Sequence, residues 1–159
     1  MNAGLKARTN VLLAGLVVLD IVLSGTCLFF PDLWFKWFHG VPYVDPQGLL
    51  RRTGAVWAAF TLLQFIALIR WQRYPHWLVL VAGVRLTEIF SDWTYLFFCS
   101  DITWFGRLAL FVSPLGNLAF GWILLRTWAR VAKLETGHDC HVERPGEVAN
   151  LLLSAALSQ

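Results

Sequence analysis

The chain has 159 residues, 57% of them hydrophobic and 15% aromatic, with nine Trp and only 14% charged. Soluble domains carry about 25% charged and roughly 45–50% apolar residues, so this composition excludes an ordinary water-soluble globule and indicates a membrane protein. The formal net charge of +3 is spread over the ends of apolar runs rather than gathered in a patch, which argues against a nucleic-acid partner.

Met1 to Asn10 is short and polar, with Lys6 and Arg8. Val11 to Phe30 is apolar for long enough to cross a bilayer. Leu23-Ser24-Gly25-Thr26-Cys27 also resembles the small-residue end of a signal peptide, but the run is read as a retained span. Asp20 interrupts it, on the face that carries Leu13, Val17, Ser24 and Cys27. Pro31 to Gly40 holds two Trp, two Phe and a Lys, a mixture that suits the headgroup layer and predicts a short interfacial helix anchored by Trp34 and Trp37.

Val41 to Gln47, with Pro42 and Pro46, predicts a loop. The second span follows over about 50–71, entered through Arg51 and Arg52, with Gln64 as its one strongly polar interior side chain. Gly54 and Ala58, four residues apart, permit close helix approach. The third span covers 76–99 and contains Arg85, Glu88 and Asp92. At about 100° per residue these three fall within roughly 60° of one another, on a stripe extended by Val81, Tyr95 and Cys99.

Thr103 or Asp101 is a suitable N-cap for the fourth span, 104–128, which begins with Trp104 as a further interfacial anchor. Ala109, Ser113, Asn117 and Gly121 recur every four residues along it, and Pro114 interrupts its hydrogen bonding. The tail, 134–159, turns polar and then offers a short helix over 147–157 that is too short to span and suits docking. The expected architecture is all-α: a four-transmembrane-helix bundle over 1–133, with an interfacial helix after the first span and a short C-terminal tail helix.

Lys and Arg counts orient the bundle. With both termini inside, eight basic residues (Lys6, Arg8, Arg70, Arg73, Arg126, Arg130, Lys133, Arg144) face the cytoplasm and four (Lys36, Arg51, Arg52, Arg107) the other side. A bacterial inner membrane is the expected location.

Asp20, Arg85, Glu88 and Asp92 lie at membrane depth, where a charge must be paired or watered. At 1.5 Å per residue, Asp92 stands about 10 Å beyond Arg85. Arg85 can pair with Glu88 one turn away; Asp20 either crosses to Arg85 or holds a proton. Asn117 and Gln64 complete a candidate polar network, and Arg51, Arg52 or Arg107 could reach down to Asp92. Such a network either fixes helix packing or lines a path for a proton, ion or polar head group, and the residues leave both readings open.

Three cysteines (Cys27, Cys99, Cys140) form no CxxC, and Cys27 and Cys99 are read as free thiols although their predicted depth would permit a disulfide. His138, Cys140 and His141 are metal-type side chains without the second cluster that a closed zinc site needs, so they read as a solvated tail and no metal site is assigned. His39 and His76 belong to opposite faces and cannot share one haem. HExxH, GxSxG, a phosphate loop and CxxCH are all missing, so catalysis of the soluble kind is not expected.

Phe29-Phe30-Pro31 at the end of the first span, Arg51 and Gly54 as an Arg-x-x-Gly entry to the second, and Gly83, Arg85 and Leu86 as a Gly-x-Arg-Leu in the third resemble the DoxX-like group of small four-helix membrane proteins. The resemblance covers the four spans and not the tail. Some members of that group are the small membrane subunit of a quinone-reducing enzyme, so it implies association with redox or other membrane complexes. It transfers no catalytic residue. The expectation is therefore a non-catalytic membrane subunit, or an assembly or stabilising factor, of a larger membrane complex, with membrane lipids and other subunits as partners. The alternative is a small carrier or quinone- or lipid-binding protein that uses the charged network. No cofactor is called for, and a bound lipid or quinone is compatible with either.

Overall fold

Two antiparallel helix pairs, crossed at one end by a short helix, make up the chain in a computed structural model that describes residues 3–139, with side chains described as far as Lys133. α1 (Ala3–Phe29) packs along α3 (Leu49–Arg70), and α4 (His76–Phe98) packs along α5 (Trp104–Asp139). The short α2 (Pro31–Phe38) touches α1 and α5. Among the described residues all regular structure is helical.

The expected second and third spans coincide with α3 and α4 to within a residue or so. α1 begins earlier than the apolar run, at Ala3, and α5 continues past Trp128 to Asp139. Apolarity marks where a helix can sit in hydrocarbon, whereas its backbone bonds continue wherever no residue breaks them. The predicted helix over 147–157 lies outside the described residues.

Three helices, α1, α3 and α5, are long and apolar enough to cross a membrane, which marks the chain as a membrane protein. α4 has 23 residues, length enough, but Arg85, Glu88 and Asp92 occupy its middle. The same three residues that make it unusual as a span make it the centre of the fold.

Along its axis the bundle has three layers. Leu13, Leu16, Ala67, Trp71, Leu78, Val81, Ala82, Leu124 and Val131 form a buried apolar cluster at the end away from α2. There Trp71 Nε1 donates to Asn10 Oδ1 at 2.8 Å, tying the start of α1 to the end of α3. A belt of polar side chains lies at mid-height. Above it α2 contributes aromatic packing: Trp34 stacks on Phe38 with ring centroids 4.1 Å apart and meets Trp57 at 5.5 Å.

Close approach is built on specific small residues. A Cβ on Gly54 would lie 2.9 Å from Cys27 Cβ and 3.2 Å from the Ser24 carbonyl oxygen, so α1 and α3 meet there nearly backbone to backbone. Ala58, its expected companion, is exposed. On α5, Gly121 presses on Leu86, and Asn117 is buried, while Ser113 stays exposed and Pro114 turns inward. The buried face of α5 is thus rotated slightly from the four-residue stripe read in the sequence.

Loop chemistry sets the helix starts. Asp45 accepts from the backbone N–H of Leu49 at 2.9 Å and of Leu50 at 2.8 Å, which satisfies free donors at the beginning of α3. Thr103 caps α5: its Oγ1 accepts from the Gly106 N–H at 3.1 Å and donates to the Trp37 carbonyl at 2.5 Å. Thr103 N–H also donates to the Phe38 carbonyl at 2.7 Å, so one residue starts α5 and clamps α2 to it.

Candidate functional site

Asp20 reaches the site because α1 buries a face of Leu13, Leu16, Val17, Asp20, Ser24 and Cys27, spaced by three and four. Its side chain is fully buried. Gln64, on the inward side of α3, donates through Nε2 to Asp20 Oδ2 at 2.7 Å. Arg85 of α4 donates through Nη2 to the same oxygen and forms an ion pair with it. Its Nη1 lies 3.3 Å from Glu88 Oε2, one turn along α4. Trp57 of α3 then donates through its indole Nε1 to Glu88 Oε1 at 2.9 Å.

Five side chains from three helices are thereby joined, and they lie on the seam between the two helix pairs. α1 and α3 supply Asp20, Gln64 and Trp57; α4 supplies Arg85 and Glu88. Direct packing between the pairs is light outside the apolar cluster at the end away from α2, so the seam is held by that cluster and by this polar belt. In hydrocarbon an apolar face gains little by meeting another apolar face, whereas a charge–charge hydrogen bond has no equal partner in lipid.

Asp92 continues the stripe on α4. It faces Ser113 of α5, whose Oγ lies 3.4 Å from Asn117 Nδ2. Three carboxyl groups thus share one guanidinium, and the belt would carry two net negative charges if all were ionised.

Its hydrogen bonding is incomplete as well. Asp20 Oδ1, Gln64 Oε1, Arg85 Nε and Asp92 Oδ2 are buried without a protein partner. An unmatched buried polar group costs about 1–3 kcal/mol, so this set calls for water, a proton or the polar atoms of a ligand. Two surface clefts, one of about 340 Å³ beside Lys36, Trp37, Thr103 and Phe105 and one of about 300 Å³ beside Arg126 and Arg130, lie elsewhere.

The α2 end carries a second cluster. His39 Nδ1 lies 2.6 Å from the Asp101 carbonyl oxygen, and its Nε2 lies 2.5 Å from the Tyr95 hydroxyl. A carbonyl can only accept, so Nδ1 carries the hydrogen and, in the neutral ring, Nε2 accepts from Tyr95. Cys99 Sγ is 3.9 Å from His39 Nδ1. Tyr95 and Cys99 stand on the same stripe of α4 as Arg85, Glu88 and Asp92.

Outside the helices, Asp45 is held below the usual carboxylate range. Partial desolvation works against that, but the amide N–H groups of Leu50 and Leu49, the Tyr43 hydroxyl and the Gly48 N–H favour the anion more strongly. Tyr43 is raised in turn, by desolvation first and by the neighbouring Asp45 charge next.

The predicted residues fall into three groups. Asp20, Gln64, Arg85 and Glu88 come together, and Asp92 and Asn117 adjoin them through Ser113. Arg51, Arg52 and Arg107 are exposed at the α2 end and are not brought to Asp92; Arg107 Nε instead donates to the Ile102 carbonyl at 3.4 Å. Trp37 and Trp104 are outward-facing, 52% and 78% exposed. Trp34 is a correction to its reading as an interfacial anchor: it is only 7% exposed, because α2 folds back and packs it between Phe38 and Trp57.

Cys27 is buried, Cys99 is half-buried, and both are free thiols. Cys140, His141 and the side chain of His138 lie outside the described residues. Among the described residues no three His, Cys, Asp or Glu side chains gather as a metal site requires. Trp57 and His39 are site members that the sequence reading leaves out, while Ser113 lies on the stripe it places along the fourth span. Trp57 lies one turn past Gly54 on the closely packed part of α3, the only sequence signal that could have nominated it. The chain matches no family model, no curated protein and no solved structure.

Proposed function

We propose that the chain is a small four-span membrane carrier or binding protein whose working site is the polar belt between the two helix pairs. Its ligand is an amphiphile with a hydrogen-bonding head group on an apolar tail, the chemistry that a quinone and a lipid share. The observation that carries this reading is the pairing of uncompensated carboxyl groups with buried, unmatched donors and acceptors on one seam. A belt that served packing alone would be expected to close its hydrogen bonds.

In this reading α4 is the fourth span, its charged stripe turned to the seam and its opposite face to lipid. Both termini lie on the cytoplasmic side of a bacterial inner membrane, as the distribution of Lys and Arg favours. The Arg51 to Gly54 and Gly83 to Leu86 patterns continue to favour a DoxX-like relationship.

Mass spectrometry of the protein purified in mild detergent tests the proposal. A quinone or a defined lipid should accompany the wild-type chain, and the head group released distinguishes the two. Folded Asp20→Asn and Glu88→Gln variants should carry much less of it. Undiminished retention by both variants would defeat the reading.

A second reading keeps the chain as an accessory subunit or assembly factor of a larger membrane complex, with the belt as its packing lock. The outward face of α5 favours it, because Phe111 and Trp122 are each more than half exposed beside Trp104. Stable co-purification of other subunits, with no bound amphiphile, would select this reading.

A further inference from the structure

We infer that the stripe on α4 is a proton route, entered at His39 and Tyr95 at the α2 end and leading to the buried belt of Glu88, Arg85 and Asp20. The inference rests on the reading of that belt as a working polar site and adds how it exchanges protons with water.

Every polar group on the inward stripe of α4 is met by a group from another element. Arg85 meets Asp20 of α1, Glu88 meets Trp57 of α3, Asp92 faces Ser113 of α5, and Tyr95 meets His39 just after α2. Successive members are one turn apart, with side chains about 5–6 Å from one another at Cβ, a gap that one water closes. Asp92 Oδ2, at the middle of the series, is buried and has no protein partner, so it is open to such a water.

The entry has surface access. His39 is partly exposed, and Ser100, Asp101, Lys36 and Arg107 around it are exposed. Tyr95 also sits against Cys27 of α1, Trp34 of α2 and Cys99 of its own helix. The Trp34 indole also hydrogen-bonds the Tyr95 side chain, and His39 Nε2 lies 2.5 Å from the Tyr95 hydroxyl.

The transfer can be written with every proton accounted for. In the neutral ring the Tyr95 O–H donates to His39 Nε2, while Nδ1–H is held by the Asp101 carbonyl. The Tyr95 O–H turns from Nε2 toward Asp92, a hydronium ion from the surface protonates the freed Nε2 and leaves as water, and Nε2–H then donates to the Tyr95 oxygen. Tyr95 then releases its proton, through one water, to the Asp92 carboxylate as Nε2 gives its proton to the Tyr95 oxygen. His39 returns to neutral, Tyr95 keeps an O–H, and one proton has moved inward. From Asp92 the next acceptor is Glu88, whose charge Arg85 links to Asp20.

Carboxyl hydrogen exchange in the full-length protein, reconstituted in lipid and followed by infrared spectroscopy on transfer from H2O to D2O, tests the route. The carboxyl C=O band is assigned with Asp20→Asn, Glu88→Gln and Asp92→Asn. His39→Gln and Tyr95→Phe should slow its exchange by on the order of a hundredfold, as loss of a positioned proton donor does, while leaving its intensity unchanged. Tyr95→Phe is the deciding variant, because it removes one oxygen and keeps the ring in place. Exchange at the wild-type rate in a folded Tyr95→Phe protein overturns the route alone. A carboxyl band that none of the three carboxyl variants alters overturns the route and the reading of the belt together.

Discussion

Arg85 of α4 donates to the Asp20 carboxylate of α1, and through that bond the α4–α5 pair is tied to the α1–α3 pair. Glu88 and Gln64 flank the two, so neither charge is left alone in the membrane interior. The same bond positions the stripe proposed to move protons, and therefore stability and function are tested at the same residues.

Replacing Arg85 by Met removes the only guanidinium from a buried carboxylate and should cost about 3–5 kcal/mol, the range for breaking a buried pair from one side. Replacing Asp20 by Leu in the same chain should recover part of that loss, since it removes the carboxylate left without its partner, while Glu88 still lacks its cation. Thermal melts in detergent compare the single with the double variant. A double variant no more stable than Arg85→Met would show that the ion pair does not join the helix pairs.

Gly54→Ala should destabilise the α1–α3 contact by about 1–3 kcal/mol, because neither the Ser24 carbonyl nor Cys27 Cβ can swing away. Gly15→Ala meets nothing within 4 Å and should be neutral, or stabilising by about 0.5–1 kcal/mol. Equal melting shifts for the two would contradict the close approach.

Asp45 gives the start of α3 a pH dependence of known sign. Its carboxyl in the folded chain titrates below the ordinary 3.8, so the stabilisation from Leu49 and Leu50 is complete above that value. It is lost as the pH falls through the lower folded value. The protection of the Leu49 and Leu50 amides, their exchange relative to the intrinsic rate at each pH, should therefore fall on acidification in the wild-type chain. Asp45→Ala should show low protection at neutral pH and little further loss of it with acid.

The four-span arrangement predicts that the two ends of α4 lie on opposite membrane faces. Cysteines introduced at Arg73 and Asp101, each in a chain lacking the native thiols, should be labelled by an impermeant maleimide from opposite sides. Labelling of both from one side would remove α4 from the set of spans. In the wild-type chain, Cys99 should react well before the buried Cys27.

The helices were legible from composition and spacing, because a bilayer-length apolar run satisfies its own backbone hydrogen bonds whatever its neighbours are. The stripe of Arg85, Glu88 and Asp92 was equally legible, since residues on one helix have fixed angular offsets. The sequence alone therefore determined an all-helical membrane protein with ionisable groups inside its helices, and it nominated Asp20 and Gln64 as buried polar residues. Their partners depended on how separate helices are registered and rotated, which no local spacing encodes. Only the tertiary structure decided that Asp20 crosses to Arg85, that Glu88 meets Trp57, and that Arg51, Arg52 and Arg107 stay at the surface. It also turned α2 back over the bundle end, burying Trp34 and setting His39 on Tyr95, because Thr103 holds the Trp37 and Phe38 carbonyls at the start of α5.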